Sequence, residues 1–431
     1  LADEGKLGWD DPVQKHIPWF QLHDPYVTRE LTVRDTLCHR SGLGLGAGDL
    51  MFWPDTDATR REVLAAARHI RPAHGFRARY AYNNLMFVVA GEIVAAAAGE
   101  SWDDFVRRRI FAPLGMRDTV IAAAGFHGNP DAAAPHSRGW RLQGAPLKPM
   151  APTRDETWAA AAGIRSSARD MARWVTAQLA GGKADGKTLW SVAAAREMWS
   201  AQTVQTVSDP PEPLKKTKPN FAAYGLGWSL RDYRGRKLVS HGGALTGMLS
   251  TVVMVPEERL GVIVLTNQEE SGALSSIVYR VLDHYLKHES TDWIAAYRSV
   301  RDERLKKSAE EERKLEAERR AASRPPLDPD RYAGEYADAW YGAARIAVED
   351  GGLVLRMART PAMVADLTHW HYDTFRAVFR DPTIPDALVT FTLGHEGAIE
   401  HFRMRAALSI ADFSFDYQDL LFRPRKASQK N

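Results

Sequence analysis

From Leu85 to Ala98 the chain reads LMFVVAGEIVAAAA, apolar throughout except for Gly91 and Glu92, which predicts a helix buried on nearly all sides. The run is preceded by Tyr80-Ala81-Tyr82-Asn83-Asn84, so its polar opening turn is expected to be buried with it. An asparagine N-cap explains one of Asn83 and Asn84, because its side-chain oxygen satisfies free backbone N–H groups. The other asparagine and Tyr82 are left without a structural reason. Thr32 with Asp35, Ser101 with Asp104, and Ser167 with Asp170 have the spacing of capping boxes that open further helices. The β-rich runs Lys237 to Val239, Leu249 to Val255 and Leu260 to Thr266 read as consecutive antiparallel strands. Gly242-Gly243 and Pro256-Glu257 are expected as the turns between them. A helix from Leu274 to Leu286 follows.

Between Arg301 and Arg320 the pattern becomes RDERLKKSAEEERKLEAERR. Glu303 with Lys307, Glu310 with Lys314 and Glu316 with Arg320 are i,i+4 pairs in the favourable order, which predicts a solvated linker helix ending before Arg324-Pro325-Pro326. Beyond it short alternating runs return, with Asp350-Gly351-Gly352 as a hairpin turn and DALVTFTLGHEGAIEHFRM repeating the form, so a small all-β unit is expected. The resulting division is 1–290, a linker over 291–326, and a β unit over 327–424.

The chain has 431 residues, 45% hydrophobic and 26% charged, which is enough for two domains with cores of their own. The net charge of +3 is spread through interleaved Lys, Arg, Asp and Glu, so no basic stripe marks a nucleic-acid surface. Cys38, the single cysteine, excludes an internal disulfide framework and a Cys-based zinc cluster, and is expected to be a buried thiol. The apolar runs are too short to span a bilayer. Leu1 to Glu4 read as the last turn of a helix closed by Gly5, so the chain is expected to begin mid-helix.

Polar groups meet apolar structure at two places, Tyr82-Asn83-Asn84 and Ser240-His241-Gly242-Gly243-Ala244. The glycines after His241 would let a ligand approach closely, and an exposed edge N–H there could donate to an oxyanion. A Tyr, an Asn, a His and a backbone donor together suit acyl transfer, although each alone is equally at home as a cap or a hairpin residue.

The segments LADEGKLGWDDPV, TVRDTLCHRSGL, YNNLMFVVAGEIV, FVRRRIFAPLGMRDT, AAGIRSSARDMARW, YGLGW, HGGALTG and GVIVLTN, in this order and spacing, resemble the serine β-lactamase-like hydrolases. That superfamily includes class C β-lactamases, penicillin-binding proteins, D-aminopeptidases and esterases. The resemblance covers residues 1 to about 290. The YAGEY and DLTHWHYDTF segments of the distal unit resemble a lipocalin-like C-terminal domain. The implied fold is α+β: an antiparallel sheet flanked by helices with a helical lobe, followed by a small all-β barrel.

Residue by residue, Tyr82 and Asn84 match the family's Tyr-x-Asn element, and His241 with Gly243 match its His-x-Gly variant of Lys-Thr-Gly. The resemblance implies that Tyr82 shuttles a proton, that His241 supports it by stabilising its phenolate or sharing its proton, and that Asn84 holds the substrate's acyl-side amide. The N–H of Ala244 would form half of an oxyanion hole. It implies a small-molecule or short-peptide substrate, no cofactor and no metal, and export to the periplasm or secretion; a homo-oligomer is compatible with it.

One departure stands out. The family's nucleophile is the serine of Ser-x-x-Lys, and none of the serines here has lysine three residues later. The expectation is that this motif lies upstream of Leu1 and that the 431 residues alone are inactive. No Gly-x-Ser-x-Gly elbow is present either, and Ser41 in His39-Arg40-Ser41-Gly42 reads as a helix end. Two rivals follow: a ligand-binding protein that hydrolyses nothing, and a metallohydrolase using His369-Trp370-His371-Tyr372-Asp373, whose alternation on a strand would gather two imidazoles and a carboxylate on one face.

Overall fold

The computed structural model describes residues 1–122, 125, 128–140, 146–320 and 322–425. At its start, the Gly5 N–H donates to the Ala2 carbonyl at 3.0 Å and the Lys6 N–H to the Leu1 carbonyl at 3.1 Å. With Gly5 at φ +68° this is the paired bonding of a left-handed helix stop.

Six strands form one antiparallel meander: β1 (Thr203–Gln205), β2 (Ala222–Tyr224), β3 (Ser229–Tyr233), β4 (Arg236–Leu245), β5 (Met248–Val255) and β6 (Leu260–Thr266). Both faces are buried, so alternate side chains feed two separate cores. Val239, Val252 and Met254 pack with Val175 of helix α2 (Ala168–Leu179), whereas Leu238, Val253 and Val255 pack with Leu274, Val278 and Leu282 of helix α3 (Ser271–Tyr285). The α2 side is tight: a Cβ on Gly261 would meet Val175 Cγ1 at 2.3 Å.

Helix α1 (Asn84–Ala98) lies in a helical lobe beside this sheet, with Leu85, Met86, Val88, Val89, Gly91 and Ile93 buried. Asn83 is its N-cap, accepting the Met86 N–H at 3.2 Å, and Gly99 at φ +73° closes it. Glu92 reaches Arg60 at 3.3 Å. Of the three expected capping boxes only Thr32–Asp35 closes reciprocally. Ser101 bonds the Asp104 carboxyl itself, and Asp170 turns its carboxylate to the Asp118 N–H and the Thr119 hydroxyl.

The turn expected at Gly242-Gly243 is not there. β4 runs straight through both glycines, which pair with Thr251 and Ser250, and the chain reverses at Thr246-Gly247, where Gly247 has φ +76°. Glycine-rich sequence signals freedom to turn, but here the missing side chains serve close approach within a strand.

Helix α4 (Trp293–Glu318) is longer than expected and exposed along most of its length, with only Trp293 and Ser308 buried. Buried Trp293 donates to Asp283 at 2.7 Å, which anchors its start on α3. Further along, Glu312 and Glu316 bind Arg376 of the distal unit at 3.1 and 3.3 Å, and Glu311 accepts from the Ser409 N–H and hydroxyl. Glu303 and Lys307 form the expected i,i+4 pair at 3.8 Å, whereas Glu311, Glu312 and Glu316 turn to the distal unit.

That unit is a closed barrel of eight antiparallel strands between Gly334 and Pro424. Its second hairpin turns on Asp350-Gly351, both at positive φ, as a two-residue type I′ loop requires. Rings of Tyr332, Tyr336, Phe375, Phe391, Phe402 and Phe422 pack inside at centroid spacings from 4.7 Å. The same contiguous apolar core includes Leu50, Met51 and Phe52 of the helical lobe, so the barrel is joined to the lobe by packing as well as by α4.

Candidate active site

Tyr82 and Asn84 stand at the N-terminal end of α1, and Tyr82 meets the stretch of β4 that lies beyond its neighbour β3. β3 pairs with β4 only as far as Ser240, so residues 241–245 have a strand on one side and an open edge on the other. Gly242, Gly243 and Ala244 are exposed along this edge. A Cβ on Gly243 would meet Ser250 Oγ at 2.5 Å. Tyr82 and His241 come together with ring centroids 6.3 Å apart.

His241 is fastened at both nitrogens. Its Nε2 is 2.9 Å from the hydroxyl of Tyr224, and its Nδ1 is 2.6 Å from the Gly242 carbonyl. Burial raises the Tyr224 phenol well above its ordinary pKa, so this hydroxyl donates to Nε2 and Nδ1–H donates to the carbonyl. Burial also lowers the His241 pKa. A neutral imidazole is therefore the form the site favours.

His39, which sequence reasoning did not single out, completes the cluster. It is fully buried at φ +56°, and its Nδ1 accepts the Asn83 N–H at 3.0 Å. Its ring lies 4.3 Å from that of Tyr82 and 4.6 Å from that of Tyr224. Burial, helped by His241, pulls its pKa down to about 3, so it is a neutral wedge against the Tyr82 ring. Tyr82 itself is pushed up to about 12 by burial and by the neighbouring Asp49 carboxyl. At neutral pH the phenol holds its proton.

Asn84 donates through Nδ2 to Asp49 Oδ2 at 2.8 Å, which leaves its amide oxygen as the acceptor it can present to the cleft. Asp49 is fully buried, and its other oxygen has no hydrogen-bond partner. Burial raises its pKa to about 7. Cys38 is a buried thiol packed against Tyr224, and Ser41 is buried with its hydroxyl accepting from the Leu43 N–H at 3.3 Å.

The His-x-His-x-Asp run does not assemble. The strand carrying His369 and His371 bulges between them, Tyr372 takes φ +46°, and Asp373 falls in the following turn. His369 Nε2 is instead 2.9 Å from the Tyr372 carbonyl. Among the described residues no group of three or more His, Cys, Asp or Glu is placed to hold a metal ion. Nor, among them, is any single helix long and apolar enough to cross a membrane.

A helical lobe against an antiparallel meander, with Tyr-x-Asn at a helix start facing His-x-Gly on a strand edge, defines a β-lactamase-type hydrolase architecture. The chain belongs to the beta-lactamase family, whose model matches residues 1–285. Residues 318–424 match a domain of unknown function, DUF3471. Among curated proteins the chain is 27% identical to Unguisins hydrolase ungD' of Aspergillus campestris, over 80% of this chain and 64% of that protein. It is 28% identical to Unguisins hydrolase ungD of Aspergillus violaceofuscus over 67% of this chain, spanning 53% of that one, so the chain is markedly shorter than these two relatives. It is 29% identical to penicillin-binding protein 4 of Amycolatopsis lactamdurans, over 65% of this chain and 71% of that protein. The octameric penicillin-binding protein homologue from Pyrococcus abyssi shares the fold with a TM-score of 0.56 and 20% identity, covering 98% of this chain and 84% of that one.

Proposed function

We propose that this protein serves a serine hydrolase reaction of the β-lactamase-related type, in which an ester, a β-lactam or an amide beside a D-amino acid is cleaved through an acyl-enzyme. The observation that supports it most is the meeting of Tyr82, at the start of α1, with the open edge at His241 to Ala244. On this reading Tyr82 passes a proton between nucleophile and leaving group. With its phenol near 12 and a neutral His241, it does so as a neutral phenol that takes the nucleophile's proton while giving its own to the leaving group, not as a free phenolate. Asn84 receives the acyl-side amide N–H on its oxygen, and the edge N–H of Ala244 donates to the developing oxyanion. The distal barrel is proposed to be lipocalin-like, and the protein to act in the periplasm or outside the cell.

One observation favours a second reading, a ligand-binding protein without turnover: no serine in the 431 residues is followed by lysine at the third position. Hydrolysis, by the protein isolated from its natural source, of a chromogenic cephalosporin, a nitrophenyl ester and a D-amino-acid nitroanilide, each with and without a chelator, separates the two. Turnover of at least one substrate that survives the chelator fits the hydrolase; saturable binding without turnover fits the second reading.

A further inference from the structure

The connection between the last two barrel strands, residues 407–420, leaves the barrel and packs against the helical lobe beside Tyr82 and Asp49. Phe413 sets its ring 5.9 Å from that of Tyr82, edge to face. It fits because residue 46 is glycine: a Cβ there would meet the Phe413 carbonyl oxygen and Cδ2 at 2.7 Å each. Asp416 accepts the Gly48 N–H at 2.7 Å and the Leu50 N–H at 3.2 Å, and so clasps both sides of Asp49. Ser414 Oγ donates to Asp49 Oδ2 at 2.8 Å, the same oxygen that receives the Asn84 amide.

From this geometry we infer that Asp49 is a positioning residue, held by Ser414 of the barrel loop, which sets whether Asn84 presents its amide oxygen or its NH₂ group to the cleft. An ionised carboxylate only accepts, so it fixes Asn84 with Nδ2 inward and oxygen outward. A protonated Asp49 can donate through its O–H to the Asn84 oxygen, which turns the amide about and offers the cleft a donor. The substrate class follows: with Asp49 ionised the site takes an acyl donor bearing an N–H at that position, as a peptide or D-amino-acid amide does, and a simple ester lacks that group. The inference rests on the proposed role of Asn84 at the substrate.

The groups facing Asp49 are the Tyr82 phenol from the segment before α1, Asn84 from α1, and Ser414, Asp412 and Asp416 from the barrel loop. Burial and the Asp49 carboxyl raise Asp416 well above the ordinary carboxyl range, against the pull of its two backbone N–H donors. With Asp49 raised to about 7, both of its own states are accessible near neutral pH.

The test reads the Asn84 side-chain NH₂ signals in the full protein labelled with ¹⁵N-asparagine, assigned by their loss in Asn84→Asp. Wild type is expected to show a shift of these signals that titrates near neutral pH. Asp49→Asn abolishes the titration, and Ser414→Ala moves its midpoint upward because the ionised form loses a donor. Asn84 signals that do not titrate, or that titrate unchanged in Asp49→Asn, overturn the inference. Turnover is read in parallel on a D-amino-acid amide: Asp49→Ala should raise KM roughly tenfold or more, the loss of one charge-assisted hydrogen bond, with a smaller fall in kcat. Titrating Asn84 signals in a protein that turns nothing over uphold the positioning role and overturn the hydrolase reading alone.

Discussion

The hydroxyl of Tyr224 and Nε2 of His241 are 2.9 Å apart, and this one bond decides what His241 can do. With Nδ1–H spent on the Gly242 carbonyl, the imidazole has no free nitrogen left for the cleft. Its part is to hold the strand edge and the Tyr82 surroundings in a neutral state.

Tyr224→Phe should therefore change His241 more than it changes the fold. The variant leaves Nε2 without its donor, at a cost of about 1–3 kcal/mol for a buried polar group. Burial, which lowers the His241 pKa, is left in place, so the ring should stay neutral with Nε2 unpaired. Chemical denaturation and a histidine NMR titration check the two halves.

Tyr82→Phe removes one hydroxyl and no apolar volume. If Tyr82 moves the proton, turnover should fall by roughly 10²- to 10⁴-fold, the usual share of general acid–base catalysis, while the unfolding midpoint stays nearly constant. Turnover close to wild type in a folded variant would remove Tyr82 from the mechanism.

Asp49 makes a prediction about stability and pH. Its folded-state pKa is raised to about 7 from 3.8, so between these values the folded protein keeps a proton that the unfolded chain has released. Stability then falls as pH rises through that window, because the native state binds more protons. Asp49→Asn should be free of this component. The variant should gain on wild type steadily from pH 4 to 7 and hold its lead above, as read by thermal unfolding at fixed ionic strength.

The attachment of the barrel depends on Arg376, buried among Asp386 at 2.9 Å and the α4 residues Glu312 and Glu316. Arg376→Ala strips the buried Asp386 of this cation and should cost about 3–5 kcal/mol. Arg376→Lys, which cannot span three carboxylates with one planar group, should fall between the two. Urea unfolding followed by a barrel tryptophan such as Trp370 measures both.

Much of this architecture is legible in the sequence because it is local. The N-cap at Asn83, the helix it opens, the strands 248–255 and 260–266 and the hairpin at Asp350-Gly351 all follow from neighbours within a few residues. Gly242 and Gly243 mislead because glycine signals a tight turn and a tightly packed strand alike, and only the partner Ser250 tells them apart. His39 and Tyr224 were not singled out because their meaning comes from contacts with Asn83 and His241, far along the chain. The bond from Ser414 to Asp49 joins residues 365 apart, and no periodicity could announce it. α4 shows the same limit: its charge pattern fits the exposed helix it forms, and gives no sign that Glu312 and Glu316 hold Arg376.

The most direct test of the acyl-enzyme account is the intact mass of the protein, isolated from its natural source, after exposure to a fluorophosphonate or a β-lactam. The account predicts one covalent adduct per chain, formed in step with loss of hydrolysis. Hydrolysis that continues without any adduct, and that a chelator abolishes, would contradict it.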